Sequence, residues 1–498
     1  MDQIKVGTLL SYLKMIINVA VGLIYVPLIL KYLSISQYGL YQLVASLVAY
    51  LAILDFGLSG TITRFYSQKL ALGDVDGQQN VIAVSLIIYS IISVIILLLG
   101  TGFYFIMDSL YSGQLTSGEL VIAKQMLILL IIDVALMVPS HVFTAIITAH
   151  EKFIFLRLSS IIRNLLQPVL IVFILMRYPT ALAIVIIQII LDLLIILVTI
   201  LYALRAFHVR IKLNAIDKSL IKNMLSFSFF IFINIIVDQV YWGTGQLVLG
   251  AVVGTTSVAI FSIAIQFNNY FRQFSTAIIS VLLPKITRMA TVSNRMEEIN
   301  QEFFKISRIQ FIILSLLLSG FIIFGKTFIK LWVGNEFSQA YLMTLVIMIP
   351  FVLDLVTSMG NLILQAKNLH SRRSLILTIS ATINVGLSIT LSFYYGALGC
   401  AIAIGVSLLL GNGITMLVYY ERIGLRITMF FKELKLLVLS VILSTIIGWI
   451  GVRLVRINSW FILLVGILLY CIIFSIITWL IGLNLYEKKL LRRIINPA

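Results

Sequence analysis

Long apolar runs alternate with short polar breaks along almost the whole chain. Most runs reach the ~20 residues that a helix needs to cross the hydrocarbon core of a bilayer. A backbone in lipid must satisfy its own hydrogen bonds, and runs of this length exceed a barrel strand, so the pattern predicts helices. We therefore predict an all-α polytopic membrane protein with fourteen transmembrane helices. The predicted spans are residues 7–30, 39–66, 81–107, 121–149, 158–176, 180–204, 223–250, 256–284, 304–325, 338–366, 374–394, 396–420, 435–453 and 459–482.

Three short stretches of sequence recur at nearly one offset, 216–220 residues further along the chain. The paired stretches are 37–51 with 256–271, 147–157 with 364–374, and 176–183 with 392–399. Because this offset equals six predicted spans, the copies would share one orientation about an axis along the membrane normal. We predict two pseudo-symmetric six-helix lobes and an unmatched addition. They are an N-lobe (1–215), a C-lobe (216–430), and spans 13 and 14 with a cytoplasmic tail (431–498).

The composition agrees with this class. Hydrophobic residues make up 61% of 498 and charged residues only 11%, against roughly 25% charged in soluble domains. Of the 36 basic residues, 26 fall in segments that the span pattern makes cytoplasmic and six in outer loops. Lys and Arg collect in cytoplasmic loops, so this split predicts that both termini are cytoplasmic. It also accounts for the net charge of +17, and we expect no nucleic-acid partner.

The sequence lacks the motifs that would indicate nucleotide hydrolysis or metal binding. The chain has no Walker A motif, its four histidines are scattered without metal-ligand spacing, and Cys400 and Cys471 both lie in apolar runs. We therefore expect no enzyme activity, no catalytic residue, no cofactor and no metal site. The longest outer connections have about a dozen residues, which disfavours a membrane polysaccharide polymerase or ligase, since such an enzyme would need a large outer loop.

Charged residues inside predicted spans are the main candidates for function. A charge at the bilayer centre costs at least ~2.5–3.5 kcal/mol on insertion scales, so such a side chain normally faces a water-filled cavity or a partner. Five aspartates fall in this class, and ion coupling and structural pairing remain open for each. They are Asp55, Asp133, Asp192, Asp238 and Asp354. For Asp55 we expect a pairing role, with Lys14 as a candidate partner.

A polar face on predicted span 8 is the sharpest single feature. Gln266, Asn269 and Gln273 share one side of a helix, and Arg272 and Asn268 lie beside them within an arc of ~160°. Such a face suits the wall of a cavity that binds phosphate and sugar hydroxyls, although a polar contact between the lobes would also explain it. The candidate substrate-binding residues are Arg272, Arg163, Lys14, Arg64, Asn269, Gln273, Gln266, Asn164 and Gln167.

The N-terminal 7–68 stretch resembles the oligosaccharide flippases of the polysaccharide-transporter family, within the multidrug/oligosaccharidyl-lipid/polysaccharide exporter superfamily. The likeness is strongest at Tyr38, Gly39 and Tyr41 and in DFGLSGTITR at 55–64. It implies a flippase that moves an undecaprenyl-pyrophosphate-linked oligosaccharide to the outer leaflet by alternating access, for surface polysaccharide biosynthesis.

The resemblance also implies a cationic cavity between the lobes that holds the pyrophosphate. Lys14, Arg64, Arg163 and Arg272 are the matching candidates in this chain. The implied location is the bacterial inner (cytoplasmic) membrane, and the implied partners are the lipid-linked oligosaccharide, membrane lipids and other polysaccharide-assembly proteins. Two transport alternatives stay open: a multidrug/cation antiporter of the same superfamily and a peptidoglycan lipid-precursor flippase.

Overall fold

A computed structural model of the chain describes residues 3–209, 211–213, 218–292, 296–366, 370–455 and 457–489. Within these ranges the regular structure is helical throughout, which confirms the all-α prediction. The α-helices are α1 (Gln3–Tyr32), α2 (Ile35–Ala52), α3 (Leu58–Ala71), α4 (Val75–Tyr111), α5 (Ser117–Ala149), α6 (Phe153–Leu175), α7 (Ala181–Phe207), α8 (Lys218–Val252), α9 (Thr255–Val292), α10 (Met296–Val333), α11 (Gln339–Val356), α12 (Met359–Ala366), α13 (His370–Ser407), α14 (Met416–Arg422), α15 (Ile427–Leu454) and α16 (Trp460–Ile477). Short π-helical stretches, Leu408–Thr415 and Thr478–Gly482, follow α13 and α16.

Eleven helical segments of the described part are long and apolar enough to cross a membrane. One of them, Arg372–Arg422, has 51 residues, which at ~1.5 Å per residue is far longer than a ~30 Å hydrocarbon core requires. It contains Gly396, whose φ of 55° and ψ of −134° are not helical, at the predicted border of spans 11 and 12. The polytopic class is therefore confirmed, and the count of fourteen stays a prediction.

The predicted span 39–66 is not one continuous helix. Its first part, α2, ends at Ala52, a single 3₁₀ turn follows over Ile53–Asp55, and α3 begins at Leu58. Phe56 (φ 54°) and Gly57 (φ 63°) both adopt the left-handed conformation, which interrupts the helix at this point. The predicted span 338–366 is likewise divided, into α11 and α12. Apolar patterning alone does not reveal such breaks, because apolar residues occur on both sides of each break.

The chain forms two compact units. Unit 1 comprises Met1–Ser262 and Ser388–Cys400, and unit 2 comprises Ile263–Leu387 and Ala401–Ala498. The predicted lobe boundary at 215/216 lies in the 214–217 stretch, outside the described residues. The residues of the predicted tail beyond 489 also lie outside them. The division into an N-lobe and a C-lobe stays a prediction.

In unit 1, α5 packs against α4, α7, α2 and α3, while α1 packs along α6. The start of α9 approaches α2 so closely that a Cβ atom on Gly39 would lie 1.8 Å from the carbonyl oxygen of Thr255. Glu119 accepts hydrogen bonds from the Ser36 and Thr255 hydroxyls at the same place, the latter at 2.9 Å. Gly39, part of the tyrosine–glycine motif, is therefore required by a close approach of two helices.

In unit 2, α10 is the common support of α11, α15 and α16. A buried aromatic and aliphatic cluster including Phe324, Tyr470 and Phe474 joins α10 to α16. A buried ion pair lies on the same helix: the Arg308 guanidinium donates to both carboxylate oxygens of Glu487, at 2.7 and 3.0 Å. Because these contacts fix α16 and the segment after it to α10, the predicted addition of spans 13 and 14 packs on unit 2.

Candidate functional site

Cationic and amide side chains from two helices meet along the α1–α6 contact of unit 1. Lys14 and Asn18 stand one turn apart on α1, and Arg157, Arg163 and Asn164 project from α6. The Asn164 amide donates to the Asn18 side-chain oxygen at 2.6 Å, which fixes the two helices in register at this level. We call these five residues the α1–α6 cluster.

Three positive charges lie close together in this cluster. Arg157 and Arg163 both act electrostatically on the Lys14 ammonium. Arg157 is exposed, whereas Lys14 and Arg163 are half-buried. Within the described part of the chain, neither Lys14 nor Arg157 forms an ion pair with an acidic side chain. Because these like charges repel one another, a bound anion would stabilise the cluster.

Arg163 differs from the other two cations because it has an acidic partner. Its Nε atom donates to Oδ1 of Asp192 on α7 at 2.7 Å, and its Nη2 atom lies 2.6 Å from the same oxygen. Asp133 on α5 is only 3% exposed and acts electrostatically on both members of this pair. Beside them the Tyr41 hydroxyl donates to the Gln188 side-chain oxygen at 3.3 Å. Two predicted aspartates and one predicted arginine therefore share one location.

Asp55 does not pair with Lys14, the partner that we had considered for it. Its Oδ1 atom lies 3.0 Å from Nδ1 of His141 on α5, and each side chain is 23% exposed. The helix break after α2 places Asp55 in the 3₁₀ turn, which packs against α4 and α8. The Phe56 ring that follows stacks on Phe232 at 4.0 Å, which fixes the turn against α8.

Two other predicted residues of unit 1 lie apart from these contacts. Arg64 is exposed on α3, a helix that packs against α4, α5 and α8. Gln167 is half-buried on α6, one turn beyond Asn164 and next to Pro168. The structure therefore assembles Lys14, Arg163 and Asn164 and places Arg64 on another helix.

The predicted polar face of span 8 lies on α9 within unit 2. Its residues Gln266, Asn269, Arg272 and Gln273 are half-buried. The fifth member, Asn268, is fully buried, and its amide donates to the Ala264 carbonyl at 2.9 Å and to the Thr344 carbonyl at 3.5 Å. Asn268 thus packs α9 against α11.

The remaining two aspartates occupy different settings. Asp238 is exposed on α8, and Asp354 is half-buried on α11, where its charge acts on the Tyr420 hydroxyl. That hydroxyl donates to the Asn361 side-chain oxygen at 2.8 Å, and the same oxygen accepts from Arg373 Nε at 2.7 Å. These contacts form a packing network in unit 2.

Sequence reasoning missed Arg157, Asn18 and His141 as members of these sites. Arg157 had been assigned to a cytoplasmic segment, although it is seven residues before Asn164 and therefore on the same helical face. Asn18 follows Lys14 by four residues, which also indicates a shared face. For His141 no local signal existed, because its contact with Asp55 depends on the packing of α5.

Comparison with known proteins decides the family. A family model described as "Polysaccharide biosynthesis protein" matches residues 4–290, more than half of the chain. The chain belongs to this family. The match confirms the resemblance identified from residues 7–68 and covers the helices α1–α9 that carry the predicted binding residues. No curated protein sequence matches the chain.

Solved structures show the same fold. The structure described as "Lipid II flippase MurJ, inward closed conformation" is 16% identical, with a TM-score of 0.76 over 98% of this chain and 99% of that one. A multidrug resistance MATE family transporter of the MOP superfamily, inward-facing, is 16% identical with a TM-score of 0.66 over 84% and 99%. A MOP superfamily transporter from Pyrococcus furiosus is 17% identical with a TM-score of 0.59 over 85% and 96%.

At such identities the likeness establishes the fold alone. The solved structures that share this fold are those of a flippase and of transporters. The fold and the long apolar helices together establish a multi-pass membrane protein.

Proposed function

We propose that the chain is a flippase that moves an undecaprenyl-pyrophosphate-linked oligosaccharide repeat unit from the cytoplasmic to the outer leaflet. The observation that carries this proposal is the α1–α6 cluster: three cations meet in helices long and apolar enough to span a membrane, and two of them have no acidic partner in the described residues. Lys14 is half-buried and both Arg157 and Arg163 act on it, and uncompensated positive charge of this kind favours an anionic ligand. Membership of a family of polysaccharide biosynthesis proteins supports a lipid-linked sugar as that ligand.

The residue types in the cluster suit a diphosphate joined to a sugar. Guanidinium groups donate two parallel hydrogen bonds to phosphate oxygens, and an ammonium adds a third donor and charge. Asn18 and Asn164 lie beside the cations and offer amide groups to sugar hydroxyls. In this proposal Arg163 and Lys14, with Arg157, engage the diphosphate, while Asn164 and Gln167 contact the first sugar.

The proposed cycle uses alternating access of the two predicted lobes. Arg272, with Gln266, Asn269 and Gln273, would contribute donors from the C-lobe, and Arg64 would provide a further phosphate contact. The substrate crosses chemically unchanged. An inside-negative membrane potential favours outward movement of the diphosphate by ~2.3 kcal/mol per charge per 100 mV if the charge crosses the full field.

The proposed location is the bacterial inner membrane with both termini in the cytoplasm. The bias of basic residues towards the predicted cytoplasmic segments supports this orientation. The substrate would then come from cytoplasmic glycosyl-transfer reactions and be consumed at the outer face by other polysaccharide-assembly proteins.

A second candidate substrate is a peptidoglycan lipid precursor. It is favoured by the fold match to a lipid II flippase, which spans 98% of this chain and includes the C-terminal helices. The matches to MATE transporters cover 84–87% of it. Both lipid candidates carry a polyprenyl diphosphate, so the α1–α6 cluster would serve either of them, and only the sugar would differ.

A binding measurement tests the proposed role of the cluster. The purified protein is mixed with undecaprenyl pyrophosphate or undecaprenol, and bound lipid is counted by native mass spectrometry. We expect the pyrophosphate to bind at least about tenfold more tightly, and Lys14→Gln or Arg157→Gln to remove much of that preference, since a tenfold change is about 1.4 kcal/mol. Arg453→Gln is the control, because this exposed arginine stacks on Trp449 in α15, outside the cluster.

Equal binding of undecaprenol and undecaprenyl pyrophosphate would contradict the proposal. The proposal would also be contradicted if Lys14→Gln and Arg157→Gln bound the pyrophosphate with the same affinity as the wild-type protein and the Arg453→Gln control.

A further inference from the structure

Arg163, a half-buried cation of the α1–α6 cluster, is already engaged by Asp192. Two nitrogen atoms of the guanidinium converge on one carboxylate oxygen, at 2.7 and 2.6 Å, and the side chains are 26% and 15% exposed. A ligand phosphate that takes the Nε and Nη2 donors of Arg163 in a bidentate contact must therefore replace Asp192. Lys14 and Arg157 have no such competitor among the described residues.

A second carboxylate makes this replacement costly. Asp133 is 3% exposed, and its Oδ1 atom has no hydrogen-bond partner in the described part of the chain. It acts on both Asp192 and Arg163, so one guanidinium faces two acids. If Arg163 turned to a ligand, the Asp192 carboxylate would be left half-enclosed beside another acid and without its cation. An uncompensated enclosed charge is normally neutralised by a proton.

Among the described residues, Arg163 is the one cation that acts on Asp192. The helices packed on α7 are α5, α6 and α2. These helices direct two titratable groups at the Arg163–Asp192 pair: Asp133 from α5 and the Tyr41 hydroxyl from α2. Lys14 on α1 acts on Arg163, and Asp55 is paired with His141.

We propose that Asp192 is an internal counter-ion that the diphosphate of the substrate displaces from Arg163, and that the displaced carboxylate takes up a proton from solution. The proposal rests on the proposed function, because it assumes an anionic ligand at the α1–α6 cluster. No covalent bond changes: the guanidinium exchanges one anion for another, and one proton moves from water to a carboxylate oxygen. Substrate binding and proton uptake are thereby coupled, and binding strengthens as the pH falls.

The test measures proton uptake directly. Undecaprenyl pyrophosphate is added to the purified protein in weakly buffered solution with a pH-sensitive dye, and bound lipid is counted in the same sample. We expect the wild-type protein to take up about one proton per lipid bound, because one enclosed carboxylate loses its cation. With Asp192→Asn we expect that uptake to disappear and affinity to rise about tenfold, equivalent to about 1.4 kcal/mol.

Asp108→Asn is the matched control. Asp108 also pairs with a cation, Lys124 on α5, but its side chain is 57% exposed and lies outside the cluster. The Asp108→Asn variant should bind lipid and take up protons as the wild-type protein does. Thermal unfolding of each variant establishes that the comparison is made on folded protein. Proton uptake by the wild-type protein tests the inference even if a variant fails to fold.

Three results would overturn the inference. Lipid binding by the wild-type protein without proton uptake would refute the displacement of Asp192 while leaving the proposed function intact. Unchanged uptake and affinity in Asp192→Asn would refute the role of this residue in the same way. Failure of the wild-type protein to bind undecaprenyl pyrophosphate at all would overturn both proposals together.

Discussion

At the scale of single residues, ionisable side chains in the spanning helices are repeatedly found beside a compensating group. Asp55 contacts His141, Arg163 contacts Asp192, and the guanidinium of Arg308 contacts the carboxylate of Glu487. Such pairing is what the cost of burying a charge requires. The half-buried Lys14 departs from this rule among the described residues, and the exposed Arg157 adds a second unpaired cation beside it, which is why they carry the functional proposal.

His150 provides a pH-dependent prediction at this scale. Its Nε2 atom lies 3.3 Å from the Tyr66 hydroxyl, and its ring stacks on Phe207 at 4.0 Å. Burial, and then the charge of Lys152, lower the pKa of His150 from its usual value of 6.5. The unfolded chain therefore binds the proton more readily, so the free energy of unfolding should decrease as the pH falls below about 6.5 and level off below the lowered pKa.

The measurement is the unfolding temperature in detergent between about pH 5 and pH 8, the range in which histidine titrates. His150→Phe keeps an aromatic ring against Phe207 and cannot titrate, so its unfolding temperature should fall less on acidification than that of the wild-type protein. Parallel pH profiles for the two proteins would refute this role of His150.

The sequence revealed the presence of these charges but seldom their partners. Hydropathy alone predicts that Asp55 and Arg163 carry buried charges that need compensation, since both residues fall within apolar runs. Their partners, His141 and Asp192, are 86 and 29 residues away in the chain. Which pairs form is decided by helix packing, and a single sequence does not encode that locally.

At the scale of helices, close approaches and breaks determine the architecture. Gly39 allows α2 to touch the start of α9, and Phe56 and Gly57 turn the chain between α2 and α3. The sequence predicted long helices from apolar runs, and the structure confirms them. It did not predict these breaks, because a glycine within an apolar run has the same local appearance whether the helix continues or turns.

Gly39→Ala should strongly destabilise unit 1. The added Cβ atom would lie 1.8 Å from the Thr255 carbonyl oxygen, and backbone atoms on both sides must move to make room. We expect a loss of about 3 kcal/mol or more in the free energy of unfolding, at or above the upper range for overpacking. The unfolding temperature of the detergent-solubilised protein measures the effect.

Gly60→Ala is the control for this substitution. Gly60 lies on α3, and an added Cβ atom would meet nothing within 4 Å. Here alanine should be neutral or stabilise by up to about 1 kcal/mol, because it restricts the unfolded chain and favours helix. Equal unfolding temperatures for the two variants would contradict the close approach of α2 and α9.

Glu487→Ala tests the attachment of the C-terminal helices to α10. The Arg308 and Glu487 side chains are only 6% and 4% exposed, and Arg308 also donates to the Glu433 and Gly482 carbonyls at 2.5 and 3.0 Å. Removing one partner leaves a buried charge uncompensated, which typically costs about 3–5 kcal/mol. We expect a marked decrease in the unfolding temperature.

Glu297→Ala is the matched control, because Glu297 pairs with Arg426 while both side chains are more than half exposed. An exposed pair contributes about 0–1 kcal/mol. If both glutamate variants unfolded at the same temperature as the wild-type protein, the Arg308–Glu487 pair would not anchor these helices.

At the scale of the whole molecule, the hydropathy pattern and the bias of basic residues were sufficient to predict the structural class. The apolar runs predicted a polytopic helical membrane protein, and the 55–64 motif identified the family that the comparison confirms. The α1–α6 cluster was predicted only in part, with Arg157 and Asn18 missing from it. The lobe division and the involvement of Arg272 stay predictions, since they depend on the arrangement of helices far apart in sequence.

The central claim is that the chain moves a polyprenyl-diphosphate sugar across the bilayer. The most direct measurement is translocation in proteoliposomes that contain the purified protein and a labelled lipid, scored by access of an outside quencher. Undecaprenyl-pyrophosphate-linked oligosaccharide and the corresponding lipid without the diphosphate are compared, in liposomes with and without protein. We predict protein-dependent translocation of the diphosphate lipid alone; equal movement of both lipids, or of neither, would contradict the account.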